Sequence, residues 1–279
     1  MELNHHRTGS GEPLVLIHGI GSRWQMWEPV MDALSAHHEV IALDLPGFGA
    51  SPMPAPETPP GPDSLTTLVD GFLSSLGVAS PHVAGNSLGG LIALQLARRG
   101  SVRSSTAISP AGFASPLEWA MSHWSLWLGV RSARLLSARV DRLLLRPGAR
   151  KLALGQYVAH PERMSPADAA GSVRALAAAP WFDATLPSLR PRQLSGGDEI
   201  QVPVTVAWGE YDRLLLPRQA RRAAAAVSRA RMVTLRGCGH VPTYDDPGQV
   251  ARVILETTRP RSSEEVSPGD PRPPGDPDR

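Results

Sequence analysis

Short apolar segments, glycine-rich turns and helical stretches follow one another along most of this 279-residue chain. Buried strands are predicted over residues 13–17, 40–45, 81–84, 106–109, 202–208 and 231–235, and helices over residues 27–36, 65–76, 88–98 and 247–257. Strands that alternate with helices form parallel sheets, because a parallel pair needs a long crossover between its strands. The sequence therefore predicts an α/β protein with a doubly wound, mostly parallel sheet covered by helices on both faces.

Two parts of the chain depart from this alternation. Residues 112–195, which we call the inserted segment, are rich in Leu, Ala, Arg and Trp at helical spacing. Residues 259–279 are mainly Pro, Gly, Asp, Arg and Ser, and they hold too few apolar side chains to offset the entropy lost on ordering. The predicted organisation is a core in two parts, residues 1–111 and 196–258, with a helical insertion at 112–195 and a disordered tail at 259–279.

Within the inserted segment, one helix is predicted over residues 131–146. Its apolar positions recur on one side and its arginines on the other. Packing of the apolar side against the protein is the favoured interpretation, and contact with a membrane surface or an anionic substrate is the alternative. The tryptophans of the segment are expected in the core; they are Trp119, Trp124, Trp127 and Trp181.

Composition and charge exclude several classes of protein. Apolar residues make up 42% of the chain and the net charge is only +2, which favours a globular protein without the basic surface of a nucleic-acid partner. Cys238 is the single cysteine, so no intramolecular disulfide is expected. The chain begins without a signal-peptide pattern and lacks an apolar run long enough to cross a bilayer, so a cytoplasmic protein without stable membrane insertion is expected.

A possible nucleophile follows the third predicted strand. The sequence Gly-Asn-Ser-Leu-Gly at 85–89 matches the Gly-x-Ser-x-Gly elbow, in which a sharp strand-to-helix turn exposes the serine hydroxyl. The pattern alone arises about 0.2 times by chance in a chain of this composition. A strand before it and an amphipathic helix after it supply the required context, so Ser87 is predicted as a nucleophile. The alternative is a tight turn whose serine only caps the helix.

A serine needs a neighbouring base, and His240 is the best placed of nine histidines. It follows the last predicted strand and precedes the last core helix, whereas the pairs 5–6 and 37–38 are expected to be exposed. Asp212 leaves another predicted strand and is the candidate carboxylate that orients the imidazole, with Glu210 and Asp198 as rivals.

These motifs together resemble those of the α/β-hydrolase superfamily, in the same order along the chain. The likeness runs from about residue 14 to 255 outside the inserted segment. Its motifs are His-Gly-Ile-Gly at 18–21, Asp-Leu-Pro-Gly-Phe-Gly-Ala-Ser at 44–51, the elbow at 85–89, Gly-Glu-Tyr-Asp at 209–212 and Gly-His-Val-Pro at 239–242. The chain departs from the family in having little room for a leading hairpin before Pro13.

The resemblance implies an α/β-hydrolase fold with a helical cap over the site, formed by the inserted segment. It also implies a triad of Ser87, Asp212 and His240, with backbone N–H groups of Ile20 and Leu88 as the oxyanion hole. No metal or organic cofactor is expected, and the implied partner is a small-molecule acyl or ester substrate. The sequence does not determine the oligomeric state.

Three functions remain open at this stage. Cleavage of a carboxylic ester is favoured, because related epoxide hydrolases and haloalkane dehalogenases use an aspartate where this chain has Ser87. Carbon-carbon hydrolysis of the meta-cleavage type comes second, since the histidine of those relatives is often followed by tryptophan and here Val241 follows. A non-catalytic ligand-binding protein on the same fold is the third.

Overall fold

The computed structural model describes residues 1–191 and 194–259. In this part of the chain, seven strands form one sheet in the order β1-β3-β2-β4-β5-β6-β7. The strands are β1 His5–Thr8, β2 Pro13–Ile17, β3 Glu39–Leu43, β4 His82–Asn86, β5 Ser104–Ile108, β6 Val204–Gly209 and β7 Arg231–Leu235. All neighbouring strands are parallel except β1, which runs antiparallel to β3. The predicted α/β class with a mostly parallel sheet is confirmed.

Helices cover both faces of the sheet. The core helices are α1 Glu28–Ser35, α2 Pro62–Ser75, α3 Leu88–Arg99, α9 Ala220–Ala226 and α10 Pro247–Thr258. Alternate side chains of β2 point to opposite faces, so Leu14 and Leu16 pack in the cluster with α1 and α10. Val15 and Ile17 pack in the other cluster, with α2 and α3. This burial on both sides explains why β2 is a continuous apolar run.

At two strand ends, the observed boundary differs from the predicted one because polar groups are involved. β3 ends at Leu43: the Asp44 N–H still donates to the Asn4 carbonyl in register with β1, but the Leu45 N–H donates to the His18 ring instead of a strand. β5 begins at Ser104, two residues before the predicted start, and its first three residues are hydroxyl side chains that are nevertheless buried. Hydrophobicity alone does not reveal such a strand end.

The short N-terminal segment contributes a strand. β1 reaches the edge of the sheet beside β3, and Gly9 then turns the chain at φ +79. A β-carbon at Gly9 would lie 2.3 Å from the His38 carbonyl oxygen, so the turn packs tightly on the end of α1. His38 itself is buried and its Nε2 lies 2.9 Å from Thr258 Oγ1, so its expected exposure was wrong.

The inserted segment is helical and lies between β5 and β6. Its helices are α4 Pro116–Leu136, α5 Val140–Leu143, α6 Pro147–Leu154, α7 Pro166–Ala178 and α8 Phe182–Thr185. The start of α4 is fixed by a capping box in which Ser115 Oγ accepts from the Glu118 N–H and Glu118 accepts from the Ser115 N–H. The single helix predicted over residues 131–146 is wrong, because a 3-10 turn at Ser137–Arg139 separates α4 from α5.

The apolar side chains of this region are not all buried. Trp181 lies in the core as expected, whereas Trp124 is exposed and corrects that expectation. Leu136 and Leu143, on the predicted packing side, are also exposed. No helix in the described residues is long and apolar enough to span a membrane. The predicted tail lies outside the described residues except for Arg259.

Candidate active site

Ser87 occupies the turn between β4 and α3, at the carboxyl edge of the sheet. Its backbone has φ 58 and ψ −114, a combination that non-glycine residues rarely adopt. The side chain is 7% exposed. Strain of this kind is retained only where the surrounding structure fixes it, and it clusters at functional sites.

The two glycines of the elbow are required by close backbone approach. A β-carbon at Gly85 would lie 2.1 Å from the Gly89 carbonyl oxygen, and one at Gly89 would lie 2.2 Å from the Ile17 carbonyl oxygen. Neither contact can be relieved by moving a flexible side chain, since both partners are backbone atoms. The glycines therefore allow α3 to begin directly against β2 and β4.

Asp212 and His240 form a buried pair. Asp212 Oδ2 lies 2.8 Å from His240 Nδ1, and both side chains are almost completely buried. The other carboxylate oxygen of Asp212 accepts the backbone N–H groups of Leu214 at 2.9 Å and Leu215 at 2.8 Å. Because an ionised carboxylate only accepts, Nδ1 of His240 carries the proton and Nε2 is left to act as a base.

The rival carboxylates have other partners. Glu210 accepts the Gly237 N–H at 2.8 Å, and Asp198 accepts the Ser228 hydroxyl at 2.6 Å. Neither is hydrogen-bonded to His240. The loop after β6 is tied to the loop before His240 by the Tyr211 N–H, which donates to the Cys238 carbonyl at 2.8 Å. These bonds set Asp212 against the imidazole.

Asn86 links the serine turn to the histidine loop. Its side-chain amide donates to the His240 carbonyl at 2.8 Å and to the Ile108 carbonyl at 3.2 Å. Ser87 and His240 line the same cavity. The structure thus places Asp212 in contact with His240, and Ser87 on the cavity that His240 also lines.

The loop after β2 is held by a neutral histidine. His18 Nδ1 donates to the Gly19 carbonyl at 2.7 Å, and Nε2 accepts the Leu45 N–H at 2.9 Å. Burial lowers the pKa of His18 and outweighs the nearby Asp44 carboxylate, which raises it. The ring is fully buried, and both of its nitrogens form hydrogen bonds that hold the loop in place.

The predicted oxyanion donors lie beside Ser87. Ile20 lines the cavity, and Leu88 begins α3, where backbone N–H groups lack intrahelical acceptors. Neither N–H donates to an acceptor within the described residues. A β-carbon at Gly19 would lie 3.2 Å from Ser87 Cβ, so the loop passes directly over the serine. Two unused donors and a helix N-terminus favour negative charge at this point.

A cavity of about 740 Å³ extends from Ser87 into the inserted segment. Most of its lining residues are Leu, Ala, Val, Met or Gly, and no Asp, Glu, Lys or Arg lines it among the described residues. No group of three or more His, Cys, Asp or Glu side chains in the described ranges is arranged to hold a metal ion. The cavity therefore offers an apolar chamber with a single imidazole base at one end.

Tyr157 contributes to the wall of this chamber with its hydroxyl buried behind the surface. It lines the cavity, and its hydroxyl is buried without a hydrogen-bond partner in the described structure. Burial raises the pKa of Tyr157 to about 12, so the hydroxyl keeps its proton. An unsatisfied buried hydroxyl is costly unless something else uses it.

The inserted segment is bonded to the histidine loop. The Val241 N–H donates to the Tyr157 carbonyl at 2.7 Å, and the Asp245 carboxylate accepts the N–H groups of Ala159 at 3.0 Å and His160 at 2.8 Å. Asp246 caps α10, its side chain accepting the Gln249 N–H. Sequence reasoning did not identify Asn86 or Tyr157, because only the folded chain brings each to the site.

Comparison with known proteins gives a consistent family. A model described as alpha/beta hydrolase family matches residues 14–253 of this chain. An epoxide hydrolase of Mycobacterium tuberculosis, EphH, is 30% identical over 204 residues, which cover 67% of this chain and 89% of that protein.

Two solved structures show the same fold. An enol-lactonase from Burkholderia xenovorans superposes with a TM-score of 0.71 and 22% identity, covering 91% of this chain and 95% of the other. A meta-cleavage product hydrolase from Pseudomonas fluorescens superposes with a TM-score of 0.69 and 21% identity, covering 91% and 93%. At these identities the likeness establishes the fold of the chain.

Proposed function

Since this chain belongs to the alpha/beta hydrolase family, we propose that it is a serine hydrolase that cleaves carboxylic esters through an acyl-enzyme on Ser87. The observation that supports this most is the buried Asp212–His240 pair at 2.8 Å, whose histidine lines the same cavity as a serine held in a strained turn. A structural histidine needs no such combination.

The reaction follows from this geometry. Nε2 of His240 takes the Ser87 hydroxyl proton while the oxygen attacks the ester carbonyl, and Asp212 stabilises the resulting imidazolium. The backbone N–H groups of Ile20 and Leu88 stabilise the oxyanion, each by about 3 kcal/mol. His240 then gives its proton to the leaving alcohol. Water, activated in the same way, releases the acid and restores Ser87.

The substrate class follows from the cavity. A chamber of about 740 Å³ with mainly apolar walls, lined by no Asp, Glu, Lys or Arg within the described part of the chain, suits an ester with a medium or long hydrocarbon chain. A charged group on the substrate would lose its hydration on entering this chamber and would find no oppositely charged side chain there among the described residues. The name of the Mycobacterium tuberculosis relative indicates epoxide opening, but the serine in this chain is suited to acyl transfer.

We assign the role of a cap to the inserted segment. Most residues that line the cavity beyond the triad belong to it, from Ser125 on α4 to Leu176 on α7. Its hydrogen bonds to the histidine loop join the chamber to the base. Substrate choice is therefore set by the inserted segment and chemistry by the core.

Carbon-carbon hydrolysis is the second candidate, because one of the structural neighbours is named a meta-cleavage product hydrolase. That reaction expels a carbon leaving group, which needs stabilisation as charge develops on it. The chamber contains no cationic side chain among the described residues for that task. The uncharged lining favours ester cleavage over this alternative.

Active-site labelling tests the proposal. A fluorophosphonate probe is expected to label the wild-type protein and to leave Ser87→Ala unlabelled. Ser132→Ala is the matched control, because Ser132 lines the same cavity. This variant is expected to be labelled at the wild-type rate. A wild-type protein that is not labelled would support a non-catalytic ligand-binding protein instead, and a Ser87→Ala protein labelled as fast as wild type would show that Ser87 is not the nucleophile.

A substrate panel separates the two hydrolytic reactions. With p-nitrophenyl esters of increasing acyl length, kcat/KM is expected to rise about fourfold for each added methylene until the chamber is full, since each buried methylene contributes about 0.8 kcal/mol. A vinylogous diketone is run beside them. Turnover of the diketone without turnover of any ester would overturn the ester assignment.

A further inference from the structure

Exposed apolar side chains are concentrated on the outer surface of the inserted segment. Of the large hydrophobic residues that the structure leaves exposed, most lie between Leu117 and Leu152, and the others are scattered singly along the described chain. Single exposed hydrophobics are ordinary, whereas a concentrated group indicates a contact surface.

These side chains form a stripe along α4. Five exposed residues recur at intervals of three, four or seven positions, which places them on one side of the helix. They are Leu117, Met121, Trp124, Leu128 and Leu135. The opposite side of α4 packs inward through Leu126, Val130 and Ala133. The helix is therefore apolar on both sides, and its outer side has no covering element in the described structure.

The stripe leads to the cavity. Four leucines are exposed and also line the cavity. They are Leu128 and Leu136 of α4, Leu143 of α5 and Leu152 of α6. Leu152 is 91% exposed. These leucines form an apolar rim where the cavity wall meets the outer surface of the inserted segment.

Positive charge flanks the apolar surface. Arg139, Arg142 and Arg146 are exposed and form no ion pair among the described residues. The nearby acidic side chains are already neutralised, Asp141 by Arg174 and Asp183 by Arg134. The guanidinium of Arg131 lies 4.3 Å above the Trp127 ring, within the same exposed region.

We infer that this surface, formed by the outer side of α4 and the cavity rim, docks the protein on an anionic lipid bilayer. Leucine, methionine and tryptophan side chains partition into the boundary between headgroups and acyl chains, and arginines bind anionic headgroups. The unpaired arginines disfavour a second copy of this chain, because a two-fold contact through this surface would set like charges against each other. Docking goes beyond the proposed ester chemistry and does not depend on it.

Vesicle flotation with the Ser87→Ala protein tests the surface apart from turnover. The protein is expected to float with vesicles of equal parts phosphatidylcholine and phosphatidylglycerol, and to bind phosphatidylcholine vesicles more weakly. High salt should weaken binding to the anionic vesicles. A protein that stays with the aqueous fraction at every composition overturns the inference without bearing on the Ser87 chemistry.

Paired variants identify the surface. The double variant Trp124→Ser and Leu135→Ser removes side chains that are 64% and 84% exposed and do not line the cavity. It is expected to reduce vesicle affinity at least about tenfold. The matched control, Met53→Ser with Met232→Ser, removes two exposed apolar residues outside the inserted segment and is expected to bind like wild type.

A second pair tests the charge. Arg139→Gln with Arg142→Gln is expected to lower affinity for the anionic vesicles by on the order of tenfold, whereas Arg221→Gln with Arg252→Gln, which removes the same charge elsewhere, is expected to have little effect. Melting temperatures and size-exclusion volumes are measured for all variants. The inference is overturned if each test variant binds vesicles as tightly as its matched control. It is also overturned if the wild-type protein is a dimer that binds no vesicles and that the Trp124 and Leu135 substitutions convert to a monomer.

Discussion

Replacing Asp212 with asparagine should remove catalysis while leaving the fold intact. One oxygen of Asp212 accepts two backbone N–H groups and the other faces Nδ1 of His240 at 2.8 Å. In the Asp212→Asn protein, the amide oxygen must take the position that accepts two donors, because the NH2 group would repel both. The NH2 group then donates to Nδ1, so the ring proton moves to Nε2 and the base is lost.

The expected magnitude follows from this wrong tautomer. Loss of a correctly oriented base lowers kcat by about 10⁴, which corresponds to roughly 5.5 kcal/mol of barrier. The two backbone hydrogen bonds are retained, so the melting temperature should change little. The rate of p-nitrophenyl ester hydrolysis and the rate of fluorophosphonate labelling are measured on the same preparation, and both should fall together.

Glu210→Gln is the matched control for this experiment. It also exchanges a carboxylate for an amide on the loop after β6, but Glu210 bonds to the Gly237 N–H and not to His240. Its activity should stay within about threefold of wild type. If Asp212→Asn keeps more than about a tenth of the wild-type kcat with an unchanged fold, the orienting role assigned to Asp212 is wrong.

Three further outcomes are expected. Gly89→Ala should lower the free energy of unfolding by about 3 kcal/mol or more in urea titration, because its β-carbon would lie 2.2 Å from the Ile17 carbonyl oxygen; Gly71→Ala, with open space around it, should not destabilise. Cys238 is fully buried, and burial raises the pKa of its thiol to about 12. At pH 8, iodoacetamide should therefore alkylate Cys238 orders of magnitude faster in guanidinium than in the folded protein. Comparable alkylation rates in the two conditions, measured by mass spectrometry, would contradict this. Tyr157→Phe should keep or raise the melting temperature, since it removes an unpartnered hydroxyl, and should lower kcat/KM only for substrates with an oxygen that this hydroxyl can reach.

The fold could be predicted where hydrophobicity and glycine placement coincide. β2 and β7 have the predicted limits, and β4 runs into the elbow, because each is bounded by turn residues and at least one side is apolar. The break between α4 and α5 could not be predicted in the same way. Residues 137–139 do not interrupt the helical spacing, since Leu136 and Val140 lie four positions apart, and the sequence carries no signal for the 3-10 turn there.

The site was predictable to the extent that each residue has its own local motif. Ser87, Asp212 and His240 each follow a strand and stand in a loop with glycine, so the sequence indicates them independently. Asn86 and Tyr157 have no such signal. Their roles arise from contacts with residues far away in sequence, 154 positions in the case of Asn86 and the His240 carbonyl. A periodicity analysis of one segment cannot detect contacts of that range.

The bond between Asn86 and the His240 carbonyl also determines how positional errors accumulate in this site. Without it, the separation of serine and histidine would depend on the strand spacings from β4 through β5 to β6 and on the bonds that tie the loop after β6 to the histidine loop, and thermal displacements along this route would add. The amide replaces that chain of spacings with one contact of 2.8 Å beside the nucleophile. We therefore expect the elbow and the histidine loop to shift together when the sheet flexes, so that the alignment needed for the proposed proton transfer tolerates motion elsewhere in the core.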